Sequence, residues 1–242
     1  MRRLAPSLAA LAALATVAGC FNPFSPRVLT ERIITNAPSP TTPQKAVELF
    51  EWCWVHRGVD EYRELFTSDY VFISAGLDSA GNPSREIQAR RDDEVQTAEH
   101  MFIGSAERPP AESITLLFDK SLKAFPDTRP GKNPKWHKQI RTSVDLKVRI
   151  DSGNTVEVTG NALFFLTRGD SAAIPSDLTL QPDSSRWWID RWEDETLAGS
   201  ELRASLLGAA PAGPAATAIV TRQTMAELKR MYDPRYAARR AP

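Results

Sequence analysis

The chain has 242 residues, 42% hydrophobic and 25% charged, a composition that excludes wholesale disorder and fits one globular domain with extra segments. Thirty Lys and Arg balance thirty Asp and Glu. No net positive field draws the chain to nucleic acid, and no nucleic-acid partner is expected.

Arg2 and Arg3 precede an apolar run from Leu4 to Ala18, too short for a membrane span and of the length of a secretory signal. The run ends in Val17-Ala18-Gly19-Cys20, which resembles the lipobox of bacterial lipoproteins. The resemblance implies that residues 1–19 are a cleaved signal peptide and that Cys20 is lipidated, palmitate included. The small side chains suit the peptidase cleft and the thiol carries the lipid, each buried methylene contributing about 0.8 kcal/mol of membrane affinity. The partner so implied is a membrane, reached through the N-terminal lipid, and the location is the bacterial cell envelope. Phe21 stands where an Asp would retain the protein at the inner membrane, which favours the outer membrane, facing the periplasm, in a two-membrane host. Cys53 is the one other cysteine, so an acylated Cys20 leaves no intrachain disulfide.

Residues 20–42 carry Pro23, Pro26, Pro38 and Pro40 among polar residues and read as a flexible tether. Thr42 then caps a helix starting at Pro43, with Ala46, Val47, Phe50, Cys53 and Trp54 on one face, and Gly58 is expected to end it. Val59 to Phe66 reads as a shorter helix, and Asp69 to Ser74 as extended chain. A third helix spans Arg90 to Phe102, with Asp92, Asp93 and Glu94 complementing its dipole and Val95, Ala98, Met101 and Phe102 forming its apolar stripe. Strand alternation follows at Ile114 to Phe118 and at Val144 to Ile150. A turn at Asp151-Ser152-Gly153-Asn154 returns the chain as Thr155 to Thr167, and a last strand covers Arg186 to Asp194. Helices first and strands afterwards indicate an α+β domain over residues 43–196, with N-terminal helices packed on a curved antiparallel sheet. Residues 197–242 form an Ala/Pro-rich linker and a basic tail with a short helix, on which Met225, Leu228, Met231 and Tyr232 share one side. The tail carries six basic and two acidic residues from Arg222 onward, whereas residues 20–221 carry 22 basic and 28 acidic ones.

The opening TPQKAVELFEWCWVHRGVDEYRELFTSDYVF, the long hairpin and the closing RWWIDRWEDE resemble nuclear-transport-factor-two-like domains, a superfamily that includes SnoaL-like cyclases and ketosteroid isomerase. That resemblance covers residues 43–196 and implies a long helix laid across a strongly curved sheet, forming a cone with an internal pocket. It rests on pattern and element order, and a fold does not fix a function.

No metal site is expected, since His56, His100 and His137 are far apart and no Cys/His cluster has ligand spacing. The sequence contains no G-x-S-x-G, P-loop or G-x-G-x-x-G motif, and no cofactor is expected. The resemblance leaves pocket chemistry, in which a carboxylate in an apolar cone abstracts a proton. Period-two counting puts Asp190 on one strand face with Trp188 and Trp192, and these three are the pocket candidates. The competing structural reading pairs Asp190 with Arg149 or Arg191 at a sheet surface. Trp187 and Trp188 point to opposite faces and form no joint stacking platform. No catalytic residue is assigned. The sequence thus reads as a lipid-anchored exported protein with a non-catalytic binding or envelope scaffold module, its ligand a small apolar molecule or its partner an envelope protein. The alternative is a small-molecule lyase or isomerase using the cone pocket. A hollow cone with an isolated carboxylate would favour the enzyme, and a cone filled by its own Trp and Phe would favour the scaffold.

Overall fold

A computed structural model describes residues 36–77, 83–169, 171–196 and 219–237. The signal peptide, Cys20, most of the tether and the linker 197–218 lie outside the described residues. Two helices open the domain, α1 (Pro43–His56) and α2 (Val59–Arg63), followed by strands β1 (Phe66–Leu77) and β2 (Pro83–Arg90) and helix α3 (Arg91–Ile103). Strands β3 (Ser113–Leu117), β4 (Ala124–Pro126), β5 (His137–Arg149), β6 (Asn154–Arg168), β7 (Trp187–Thr196) and β8 (Ile219–Arg222) come next, before helices α4 (Met225–Arg230) and α5 (Pro234–Ala237). The fold class is α+β: helices on one large curved sheet.

Thr42 caps α1 through its Oγ1, which accepts from the Lys45 N–H at 3.2 Å, and Pro43 fills the first turn, where its missing N–H costs nothing. The helix ends one residue before the expected glycine. Arg57 takes the left-handed conformation (φ 59°), which its guanidinium secures by donating to the carbonyls of Ala111 (2.5 Å), Glu112 (2.9 Å) and Phe102 (3.1 Å). Gly58 is required for a different reason, because a Cβ there would lie 2.7 Å from the Trp52 ring.

The sheet runs β2-β1-β7-β6-β5-β3, with β4 also on β5 and β8 also on β6. Most pairs are antiparallel, but β1 runs parallel to β7 and β8 parallel to β6, so the sheet is mixed in detail. The expected hairpin of β5 and β6 is present and longer than its apolar pattern, with Asp151 Oδ1 accepting from the Gly153 N–H at 2.8 Å in the turn. Along β5, Ile140, Thr142, Val144, Leu146 and Val148 alternate inward.

Helices α1 and α3 pack against the sheet around Phe50. Its ring meets Trp192 at 5.0 Å, Phe164 at 5.1 Å, Tyr62 at 5.4 Å and Phe66 at 6.4 Å, mostly tilted or edge-on. Cys53 is a free, fully buried thiol beside these rings, and burial pushes its pKa up, far from nucleophilic use. Phe50→Ala is expected to cost about 3–5 kcal/mol in urea unfolding. Phe125→Ala, at an exposed site on β4, should stay within about 0.5 kcal/mol; equal costs would contradict this account of the core.

Candidate functional site

The three residues singled out from the sequence do not form one pocket. On β7, Arg191 stands opposite Phe165 of β6 while Ile189 stands opposite Leu166, so Asp190 is an extra residue at a β-bulge. The bulge reverses the alternation. Trp192 joins the core, 4.7 Å from the Phe72 ring and 5.7 Å from Phe164. Trp188 is buried outside that core cluster, with the Arg186 guanidinium 4.7 Å over its ring.

Asp190 is committed to cations, though not to the two expected ones. The Arg129 Nη2 donates to both its oxygens at 2.9 and 2.8 Å, and the Lys132 ammonium lies 3.3 Å away. Arg149 instead pairs with Glu112 and Arg191 with Glu193. Arg129 also donates to Asp127 and lies 4.2 Å over the Phe165 ring. Burial alone would raise the Asp127 pKa, but the Arg129 hydrogen bonds and charge more than offset this and hold it below the usual carboxylate range. The open groove beside this cluster, about 450 Å³, is lined by Arg129, Lys132, Asp190 and Arg191, which already have partners, and by the exposed Asp69 together with Val71 and Pro130.

A second cluster was missed by the sequence reading. Glu94 of α3 is fully buried, and the Lys229 ammonium of α4 donates to its two carboxylate oxygens at 2.5 and 2.6 Å. The Tyr62 hydroxyl donates to Glu94 Oε1 at 2.6 Å. The Lys229 nitrogen also lies 3.8 Å from the ring centroids of both Phe72 and Trp192. Burial pushes the Lys229 pKa down to about 8, against the opposing pull of Glu94 and Asp194. Burial likewise drives the Tyr62 phenol well above its ordinary value, with the Glu94 charge adding to the effect.

Strand β7 seats α4 at this depth. Asp194 accepts from the Thr196 N–H (3.0 Å) and the Ala226 N–H (3.3 Å), and the Thr196 hydroxyl accepts from the Met225 N–H (2.9 Å). Thr224 and Glu227 close a capping box ahead of the helix. The cavity left between Phe72, Glu94, Ala226 and Lys229 is only about 10 Å³. Both charges had a legible signal: Glu94 is four residues before Ala98 and seven before Met101 on the buried stripe, and Lys229 is four residues after Met225.

Among the described residues no group of three His, Cys, Asp or Glu could hold a metal ion, and no helix is long and apolar enough to cross a membrane.

No family model and no curated protein matches the sequence. Solved structures of similar chain path do exist. A nuclear transport factor 2-like superfamily protein from Salmonella enterica is 15% identical, with 62% of this chain and 84% of that one covered at a TM-score of 0.38. A ketosteroid isomerase-like protein from Erwinia carotovora is 11% identical, with 62% and 89% covered at 0.38. A conserved protein from Planctomyces limnophilus is 13% identical, with 64% and 93% covered at 0.39. At such identity and superposition score none of them assigns a substrate, reaction or partner to this chain.

Arg129→Met takes from the buried Asp127 side chain the only cation paired with it among the described residues, leaves Asp190 with Lys132 alone, and is expected to cost about 2–3 kcal/mol at pH 7. The Asp127 pKa is lowered in the folded state, so its contribution is present above the unfolded value and lost as pH falls through the folded one. The gap between wild type and variant in urea unfolding should therefore narrow below about pH 4, and a gap that widens there would contradict the assignment.

Proposed function

We propose that the protein is an exported lipoprotein, acylated at Cys20, whose domain is a non-catalytic binding or scaffold module of the cell envelope. Supporting the anchor are the arginines at positions 2 and 3, the apolar run and the Val17-Ala18-Gly19-Cys20 site. Two or three acyl chains suffice to hold such a domain on a membrane. Phe21 after the modified residue favours the outer membrane, facing the periplasm, in a two-membrane host.

The observation that carries the non-catalytic reading is that the domain's interior is occupied by its own side chains. Phe50, Phe66, Phe164 and Trp192 meet ring against ring where a substrate would sit. The buried carboxylate at its margin, Glu94, gives both oxygens to Lys229. The lyase or isomerase reading draws on one feature, the contact of the Glu94 carboxylate with the Tyr62 phenol, an acid-base arrangement of the sort that pocket chemistry uses. Lys229 closes that arrangement to substrate.

Growth with an alkyne-tagged palmitate is expected to label the wild-type chain and to leave Cys20→Ala unlabelled; label surviving that substitution would overturn the anchor. In lipid-free solution, the filled interior predicts no saturable binding of an anilinonaphthalene sulfonate dye to the unacylated Cys20→Ala chain. Saturable binding with quenched Trp emission would favour the enzyme reading instead.

A further inference from the structure

The walls around the Lys229 ammonium come from four separate elements: Tyr62 from α2, Phe72 from β1, Glu94 from α3 and Trp192 from β7. All four lie within residues 59–196, whereas the occupant arrives from beyond the Ala/Gly/Pro-rich stretch at 197–218. We propose that Phe72, Trp192 and Glu94 form a binding site for a primary alkylammonium group, filled here by Lys229 of the chain's own C-terminal segment and available to an external amine when that segment lifts. The inference rests on the binding-module reading above and names the ligand chemistry of its stoppered site.

Two ring faces at 3.8 Å supply the negative side of their quadrupoles, and a desolvated cation between such faces is held more strongly than an exposed one. The carboxylate accepts from the nitrogen at 2.5 and 2.6 Å, which requires N–H donors and excludes a quaternary ammonium. A planar guanidinium is wider than the point-like head that the two rings and the carboxylate enclose. Tyr62 fixes the carboxylate, and the buried hydroxyl of Tyr70, which has no hydrogen-bond partner among the described residues, lies in the field of Glu94. Without a cation the buried Glu94 must hold a stranded charge or take up a proton, and an incoming ammonium restores the paired state that an alcohol or an apolar molecule does not.

The occupant is carried on short elements, although Met225, Leu228 and Tyr232 beside it pack into the core. Its helix has six residues, too few to be stable alone, and all four residues of β8 are exposed. Two of its fastenings lie at the surface, Arg235 to Asp93 at 2.9 Å and Arg230 to Gln88 at 2.9 Å, and a third, His100 to the Tyr232 carbonyl at 3.2 Å, is half-buried.

The test uses the full chain with Lys229→Ala, which removes the occupant's head and keeps the walls. Thermal unfolding and calorimetry with n-butylammonium chloride should show saturable stabilisation, at least about tenfold stronger than with n-butanol. Adding Glu94→Gln should abolish the difference, and Lys229→Met, whose side chain fills the space, should give no response. A short blocked Ala-Lys-Ala peptide separates the sources: binding by the peptide assigns the site to a protein lysine, and binding by the free amine alone assigns it to a small metabolite-sized amine. In the wild type, n-butylammonium should speed thermolysin cleavage within residues 219–237.

Equal responses to amine and alcohol would overturn the ammonium inference and leave a binding module for apolar ligands. No response to either would remove both readings, and a wild-type tail that amine never exposes would make Lys229 a fixed strut and overturn the exchange. Should Lys229→Ala not hold its fold, the same contrast is read in refolding. Soluble monomer recovered with n-butylammonium but not with n-butanol supports the site, and equal recovery overturns it.

Discussion

A lysine ammonium and a glutamate carboxylate, both nearly out of reach of water, meet between two aromatic faces where the C-terminal segment crosses the sheet. Removing each ion from water costs several kcal/mol, so the pair persists only where geometry and further partners offset that cost. Here the offset comes from two short charge-assisted bonds, the Tyr62 hydroxyl on the carboxylate, and ring faces on the cation. This requirement governs the surrounding structure. Helix α4 must sit deep enough to deliver Lys229, and the end of β7 must present Asp194 and Thr196 to receive its N–H groups. Met225, Leu228 and Tyr232 thereby join the same hydrophobic core as α1.

Two consequences bear on function. The interior behind Lys229 is an aromatic cluster centred on Phe50, held by tilted and edge-on ring contacts. On the groove side, Asp127, Arg129, Lys132 and Asp190 hold one another. Glu94 in the interior and Asp127 and Asp190 beside the groove are thus all bound to internal cations.

The sequence carried the element order well because its signals were local. Thr42-Pro43 marks the start of α1, the β5 alternation marks a half-buried strand, and Asp151 with Gly153 marks the hairpin turn. Strand β2 was illegible, since an edge strand reading Pro-Ser-Arg-Glu-Ile-Gln-Ala-Arg with Ile87 exposed has no apolar alternation to detect. The parallel placement of β7 beside β1 was illegible for another reason: it depends on contacts more than a hundred residues apart.

The candidate site failed on one residue. Period-two counting across Trp188, Asp190 and Trp192 assumes an unbroken strand, and the bulge at Asp190 turns the two indoles to opposite sides. Asp190 also found Arg129, sixty-one residues away, which no spacing rule suggests. Glu94 was read as a dipole partner because acidic residues in a first helical turn usually are, although its place on the buried stripe argued otherwise.

A double-mutant cycle between Glu94 and Lys229 is the most direct measurement of whether the C-terminal segment is locked to the domain by this pair. Urea unfolding of the full chain with Glu94→Gln, Lys229→Met and both together should give a coupling energy of about 2 kcal/mol or more, the double variant being more stable than additivity allows. Additive effects within about 0.3–0.5 kcal/mol would contradict the buried contact on which the account stands.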